Sequence, residues 1–149
     1  MFHSSISILT EQQRAEYHAI VAGVLDEFLA AFNSGDPSRC AALIHYPHVR
    51  FASGNVFQIW NTPEEFAADN DPIIMKEKTG WAYTTWDLIE ILQADANKIH
   101  TLILLSRYNN KHERISRPKP LYIFTHVEGR WALQFRSGFM GIAGGNAAF

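Results

Sequence analysis

The sequence predicts an α+β fold, with helices in the first half of the chain and a curved antiparallel sheet in the second. Thr10, Asp36 and Thr62 each carry a helix-capping signal that a helical pattern follows. From Trp81 onward, runs rich in Ile, Leu, Thr and Trp alternate with short turn signals. Short turns join antiparallel neighbours, so we expect a meander with the helices covering one face of the sheet.

Two helices open the chain. Thr10 begins a capping box, and apolar residues then recur at helical spacing up to Phe32. Gly35 ends this helix because glycine accepts the left-handed conformation. Asp36 caps a shorter second helix with proline at its first position, and that helix must end before Pro47.

A third helix follows a short hairpin. Val49–Ala52 and Val56–Trp60 flank a turn-forming Ser-Gly-Asn sequence and are predicted to be paired strands. Thr62 and a following proline then begin a helix that we expect to run to about Glu77.

The second half of the chain contains four predicted strands. Turn signals separate them, and a Glu-Gly pair forms the last turn. The predicted strands are Tyr83–Gln93, Ile99–Tyr108, Leu121–Val127 and Trp131–Phe139.

Length and composition are those of one globular domain spanning residues 1–149. Hydrophobic residues make up 47% of the chain and charged residues 19%, which excludes wholesale disorder. The single cysteine, Cys40, excludes an internal disulfide and a multi-cysteine metal site. A net charge of −2 gives no electrostatic support for bulk nucleic-acid binding.

The ends of the chain carry little structural signal. We expect residues 1–9 and 141–149 to be loose. The start lacks the pattern of a signal peptide, and the most apolar run, Thr101–Leu105, is far shorter than the ~20 residues of a membrane helix. We therefore expect a cytoplasmic protein with no membrane partner.

One local stretch resembles a known superfamily. Ala31-Phe32-Asn33-Ser34-Gly35-Asp36, followed by Ala41 and Leu43, resembles the opening of nuclear transport factor 2-like (NTF2-like) domains, which include SnoaL-like and ketosteroid-isomerase-like proteins. The stretch Gly129–Leu133 resembles their last strand. The resemblance implies a cone in which the sheet wraps a helix around an open-ended cavity, and many members dimerise through the sheet. Function varies widely on this fold.

The ketosteroid isomerases offer a residue-level test of activity. Their chemistry needs a tyrosine, a carboxylate base and a protonated aspartate. The resemblance places these roles at Phe28, near Ala52 and near Tyr122. Only Tyr122 can donate a hydrogen bond, so that form of proton transfer is disfavoured and the sequence leaves open whether the protein is an enzyme.

Metal and cofactor motifs are weak. His45 and His48 would share one helical face, but Pro47 prevents a helix there. Cys40 lies among small apolar residues and is interpreted as a core residue. We expect no metal and no cofactor.

The basic residues are concentrated late in the chain. The stretch Arg107–Arg136 contains seven basic residues and two acidic ones. Such a run could form an anion site or an interface, but a solvated surface is the more ordinary interpretation.

Strand alternation and the resemblance together indicate a ligand site. Alternation places Tyr122 and His126 on one face, and His48 and Arg50 together on an earlier strand. A buried arginine needs a partner, whereas an arginine at a cavity mouth could hold a ligand carboxylate. The predicted ligand-binding residues are Phe28, His48, Arg50, Trp60, Tyr122 and His126.

Three functional hypotheses remain. The first is a pocket for a small, largely apolar ligand with one polar or anionic end. The second is a homodimeric interaction module whose cavity is filled by side chains and which performs no catalysis. The third is an isomerase or hydrolase that acts on a small hydrophobic substrate with non-standard residues.

Overall fold

The structure, a computed structural model, describes residues 8–139 and confirms the predicted α+β cone. Its helices are α1 Glu11–Asn33, α2 Pro37–Ala41, α3 Pro63–Asp69 and α4 Pro72–Thr79. Its strands are β1 Ile44–Ala52, β2 Val56–Trp60, β3 Tyr83–Ala94, β4 Lys98–Tyr108, β5 Arg114–Ser116, β6 Leu121–Val127 and β7 Arg130–Gly138. Of the ends predicted to be loose, residues 1–7 and 141–149 lie outside the described residues.

The capping signals form as the sequence predicts. The Thr10 hydroxyl accepts from the Gln13 backbone N–H at 3.1 Å, and the Gln13 side chain accepts from the Thr10 N–H at 3.0 Å. Gly35 has φ of 77°, and the Asp36 carboxylate then caps α2. One stripe of α1 is buried against the sheet: Val21, Leu25, Phe28, Ala31 and Phe32.

The predicted third helix is divided into two. The α-helical hydrogen bonds end at Asn70, and the Asp71 carboxylate accepts from the Ile73 N–H at 2.9 Å to begin α4. Pro72 causes the break because it has no N–H to donate and disfavours helical geometry at the residue before it.

The sheet is mainly antiparallel but contains one parallel pair. Its strand order is β2-β1-β7-β6-β4-β3, with the short β5 paired to β4. The sequence predicts antiparallel neighbours throughout, yet β1 and β7 run parallel. Turn signals identify only strands that a short turn connects. The strands β2 to β6 lie between β1, which ends at Ala52, and β7, which begins at Arg130, so no turn signal indicates that β1 and β7 pair. The sequence analysis also missed β5, which has three residues.

A β-bulge in β7 determines which side chains reach the inner face. Phe124 pairs with Leu133, but the preceding Ile123 pairs with Phe135, so Gln134 is an extra residue on β7. A one-residue shift exchanges the two faces of a strand. Leu133 and Arg136 are therefore both buried on the inner face although they are three residues apart.

Candidate functional site

A row of polar residues crosses the inner face of the sheet. The strand register places Gln58 opposite Arg50, Arg50 opposite Arg136, Arg136 opposite Tyr122, and Tyr122 opposite Thr101. We call these five residues the polar row. Adjacent strands lie about 4.8 Å apart, so the row brings side chains from five strands together.

The centre of the polar row is buried. Arg50 is 6% exposed, Arg136 is 3% exposed and Tyr122 is 1% exposed. Arg50 Nη1 donates to Gln58 Oε1 at 2.8 Å, and Thr101 Oγ1 donates to the Tyr122 carbonyl at 2.8 Å. The Tyr122 hydroxyl makes no hydrogen bond to any residue between 8 and 139.

Arginine side chains surround the Tyr122 phenol and shift the pKa values of the polar row. Burial lowers the pKa of Arg136 to about 9; Tyr122 opposes this shift, and Arg50 and Arg107 add to it. Burial also lowers the pKa of Arg50 and of Arg107. Burial raises the pKa of Tyr122, against the influence of Arg136, Arg107 and Arg50. At neutral pH the guanidinium groups are therefore cationic and the phenol is a hydrogen-bond donor.

Arg136 lies in an aromatic setting. Its guanidinium carbon is 5.8 Å from the ring centroid of Trp60 and 5.8 Å from that of Phe66. Its Nε lies 3.0 Å from His48 Nε2. Trp60 is itself fixed, because its indole N–H donates to Asp69 Oδ2 at 2.8 Å. Helix α3 thus supplies both Phe66 and the carboxylate that orients Trp60.

Five of the six predicted ligand-binding residues are buried on the inner side of the sheet. Phe28, Trp60 and Tyr122 belong to one contiguous apolar cluster. His48 and Arg50 both face inward along β1, as the sequence predicts. They alternate with Val49 and Phe51, which are more exposed.

His126 lies away from the other five predicted residues. It is half-buried at the far end of β6, where its ring stacks on Trp131 with centroids 5.1 Å apart. It lies four positions along the strand from Tyr122, a distance of about 13 Å. A role for His126 in ligand binding remains a prediction.

The sequence analysis missed two arginines near Tyr122. It interpreted the whole stretch Arg107–Arg136 as basic surface, whereas its first and last residues act electrostatically on Tyr122. Alternation along β4 from the buried Leu105 could have indicated Arg107. No sequence signal indicated Arg136, because the bulge at Gln134 reverses the expected alternation.

The two histidines considered as metal ligands have other roles. His45 Nδ1 lies 2.8 Å from the Thr125 hydroxyl, and His48 contacts Arg136. Within residues 8–139, no group of three His, Cys, Asp or Glu side chains is arranged to hold a metal ion. Burial raises the pKa of Cys40 to about 12, so its thiol is unreactive.

Comparison with known proteins identifies the fold. A protein of unknown function from Nostoc punctiforme with a cystatin-like fold superposes with a TM-score of 0.67 at 14% identity, over 92% of this chain and 97% of that one. An NTF2-like protein from Novosphingobium aromaticivorans gives a TM-score of 0.63 at 10% identity, over 93% of this chain and 96% of that one. The chain therefore has the NTF2-like, cystatin-like fold.

One similar structure contains a small molecule. A protein from Catenulispora acidiphila in complex with S-DNPA has a TM-score of 0.61 at 12% identity, over 83% of this chain and 94% of that one. No family model matches the sequence, and no curated protein matches it either. In the described residues, no helix has the length and apolarity needed to cross a membrane.

Proposed function

We propose that this protein binds a small, largely apolar molecule on the inner face of the sheet, with a polar or anionic end at the polar row. The observation that carries the proposal is the placement of Arg50, Arg136 and Tyr122 side by side on three neighbouring strands. We assign Phe28, His48, Arg50, Trp60, Tyr122 and Arg136 to this site, and the binding role of His126, which lies about 13 Å from Tyr122, stays a separate prediction.

The chemistry of the row suits an oxygen anion. Guanidinium groups donate paired N–H bonds in a plane that matches a carboxylate, and such charge-assisted bonds are stronger than neutral ones. Like charges on facing strand positions repel each other, so an anion between Arg50 and Arg136 would lower that repulsion. The Tyr122 hydroxyl supplies a further donor.

The apolar part of the ligand follows from the neighbours of the row. Phe28, Trp60 and Tyr122 share a buried cluster on the same side of the sheet. Binding sites for small molecules combine apolar and aromatic walls with a few fixed polar groups. The Catenulispora acidiphila complex supports the idea that this fold accommodates a small molecule.

Decanoate and 1-decanol form a probe pair that tests the proposal, because they share an alkyl chain and differ in the charged end. We expect calorimetric titration to show tighter binding of decanoate. Arg50→Ala should weaken decanoate binding by about 1.5–3 kcal/mol, the contribution of a hydrogen bond to a charged group. It should change decanol binding much less.

Arg114→Ala is the matched control, since Arg114 is exposed on β5 and its loss removes the same charge. Equal weakening by both variants would show that only overall charge matters. Unfolding of Arg50→Ala, with unchanged affinity in the folded fraction, would show that Arg50 is structural. Either result contradicts the proposal.

We also propose that the protein forms a homodimer through the outer face of the sheet. Phe51, Phe57 and Ile59 are large apolar side chains there, and each is 42–55% exposed. Contiguous exposed apolar surface of this kind is typical of protein interfaces. A dimer that binds neither probe would favour a homodimeric interaction module with a filled interior.

A catalytic role is the remaining alternative. The Tyr122 phenol could stabilise a developing oxyanion in an isomerase or hydrolase. Burial lowers the pKa of His48 well below its usual range and Arg136 adds to this, so His48 is a neutral hydrogen-bonding group at neutral pH. We therefore propose ligand binding as the primary function.

A further inference from the structure

The contact between Arg136 and His48 fixes the proton on the imidazole. Every polar hydrogen-bonding atom of a guanidinium is a donor, so at 3.0 Å the Arg136 Nε–H must donate to His48 Nε2. An imidazole whose Nε2 accepts a hydrogen bond carries its proton on Nδ1. His48 is therefore neutral, in the Nδ1–H form, whenever this bond is made.

The surroundings of His48 disfavour a second proton on its ring. The side chain is fully buried, and its ring packs edge-to-face on Phe66 with centroids 5.5 Å apart. Its register partner on β2 is Trp60, and these two rings have centroids 6.1 Å apart. A second proton on the ring would place two cations in contact in an apolar setting, which carries a high free-energy cost.

We propose that His48 is a positioning residue for the ligand site, and that it acts by holding the Nε edge of Arg136 so that the anionic end of the ligand is met by the Nη1/Nη2 edge. The inference rests on the proposed function, since it assigns a role within the same site. The planar guanidinium is held at its edge by the imidazole, and Trp60 and Phe66 pack beside it with their ring centroids 5.8 Å from its carbon.

Positioning of this kind matters because arginine has a long, flexible side chain. A guanidinium that is already ordered loses less conformational freedom when a ligand binds. The residue at position 48 must accept a hydrogen bond without bearing a charge. A glutamine amide oxygen can do so, whereas a leucine cannot.

Two variants test this role with the same probe pair. We expect His48→Leu to weaken decanoate binding about tenfold, as expected for the loss of one ordering hydrogen bond to a charged group, and to change 1-decanol binding less than about twofold. His48→Gln should restore most of the decanoate affinity. Equal losses for both probes, or no recovery with glutamine, would show a merely structural role and overturn the inference.

A measurement on the ligand-free wild type separates this inference from the proposed function. Long-range ¹H–¹⁵N correlation spectra should show His48 with a protonated Nδ1 and an unprotonated Nε2 at pH 7. An Nε2–H tautomer or an imidazolium would overturn the inference even if His48→Leu fails to fold. Absence of decanoate binding by the wild type would overturn the proposed function, and the binding role of His48 with it, whatever the tautomer.

Discussion

The two faces of strand β1 reverse the pattern of a sheet with one solvated side, in which apolar side chains face inward and charged ones face outward. Arg50 points inward and is 6% exposed, whereas its neighbour Phe51 points outward and is 42% exposed. Phe51 packs edge-to-face on Phe57 across the hairpin, with ring centroids 5.8 Å apart. The inner face thus carries buried charge and the outer face exposed aromatic surface. Both features suit contacts with molecules other than this chain.

The inner face itself has two halves. Toward the end of the cone where Ile99, Phe124 and Leu133 lie, it is a fully buried apolar core. Around Arg50 and Arg136 it is polar. Burial of apolar groups stabilises a fold, whereas burial of charge opposes folding. We infer that the apolar half provides stability, and we propose that the polar half provides function.

The largest expected effect is on the free energy of unfolding, which should fall far more for a substitution in the apolar core than for one on the outer face. Phe124→Ala should lower the free energy of unfolding by about 3–5 kcal/mol, because it leaves a cavity in a packed core. Phe57→Ala should cost less than about 1 kcal/mol in a single chain, because Phe57 is already exposed. Urea denaturation measures both. A similar loss for both variants, independent of protein concentration, would contradict the contrast between the faces.

The next effect concerns the association of two copies. Phe57→Lys should weaken the proposed homodimer about a hundredfold, since a charge replaces a large apolar group at the interface and symmetry repeats it. Light scattering at micromolar concentration measures the mass, with Lys111→Ala on the exposed β4–β5 turn as a control. A monomeric mass for the wild type would count decisively against the dimer.

A smaller effect is expected from the Tyr122 hydroxyl, because stability and binding should change in opposite directions. Tyr122→Phe removes a buried donor that has no hydrogen-bond partner among the described residues, so the ligand-free protein should become more stable by about 1 kcal/mol. Decanoate binding should weaken about tenfold, since that donor is lost to the ligand. Thermal unfolding and titration give the two values. A loss of both stability and affinity would instead identify the hydroxyl as part of the core.

The last effect is the pH dependence of stability that comes from His48. The pKa of His48 is lowered in the folded protein by burial and by Arg136, so below about pH 6.5 the unfolded chain binds its proton first. Stability is complete above that pH and falls as the pH decreases, by up to about 1.4 kcal/mol per pH unit. His48→Gln should reduce this slope in urea titrations from pH 7 to pH 5. The same change at the exposed His18 provides the control, and equal slopes in wild type and His48→Gln would contradict the assignment.

The sequence predicts the elements of the fold better than it predicts which side chains meet on the inner face of the sheet. Caps at Thr10 and Asp36 use local hydrogen bonds, so they can be recognised from a few residues. The break at Pro72 is equally local, although the cap at Thr62 predicts one continuous helix to about Glu77. The pairing of β1 with β7 joins segments far apart in sequence, and no local pattern encodes it.

Alternation along a strand predicts which side chains face inward only where the strand is regular. Alternation placed His48 and Arg50 on the inner face of β1, and their burial confirms that orientation. It failed for Arg136, because the extra residue Gln134 reverses the faces of β7. Where a bulge occurs depends on the neighbouring strand, which a single sequence does not reveal.

A crystal structure of the protein grown with decanoate tests the central claim most directly. The account predicts density inside the cone, with the carboxylate within hydrogen-bonding distance of Arg50, Arg136 or the Tyr122 hydroxyl and the alkyl chain directed toward Phe28. Decanoate bound only on the outer face, or with its alkyl end against the polar row, would contradict the account.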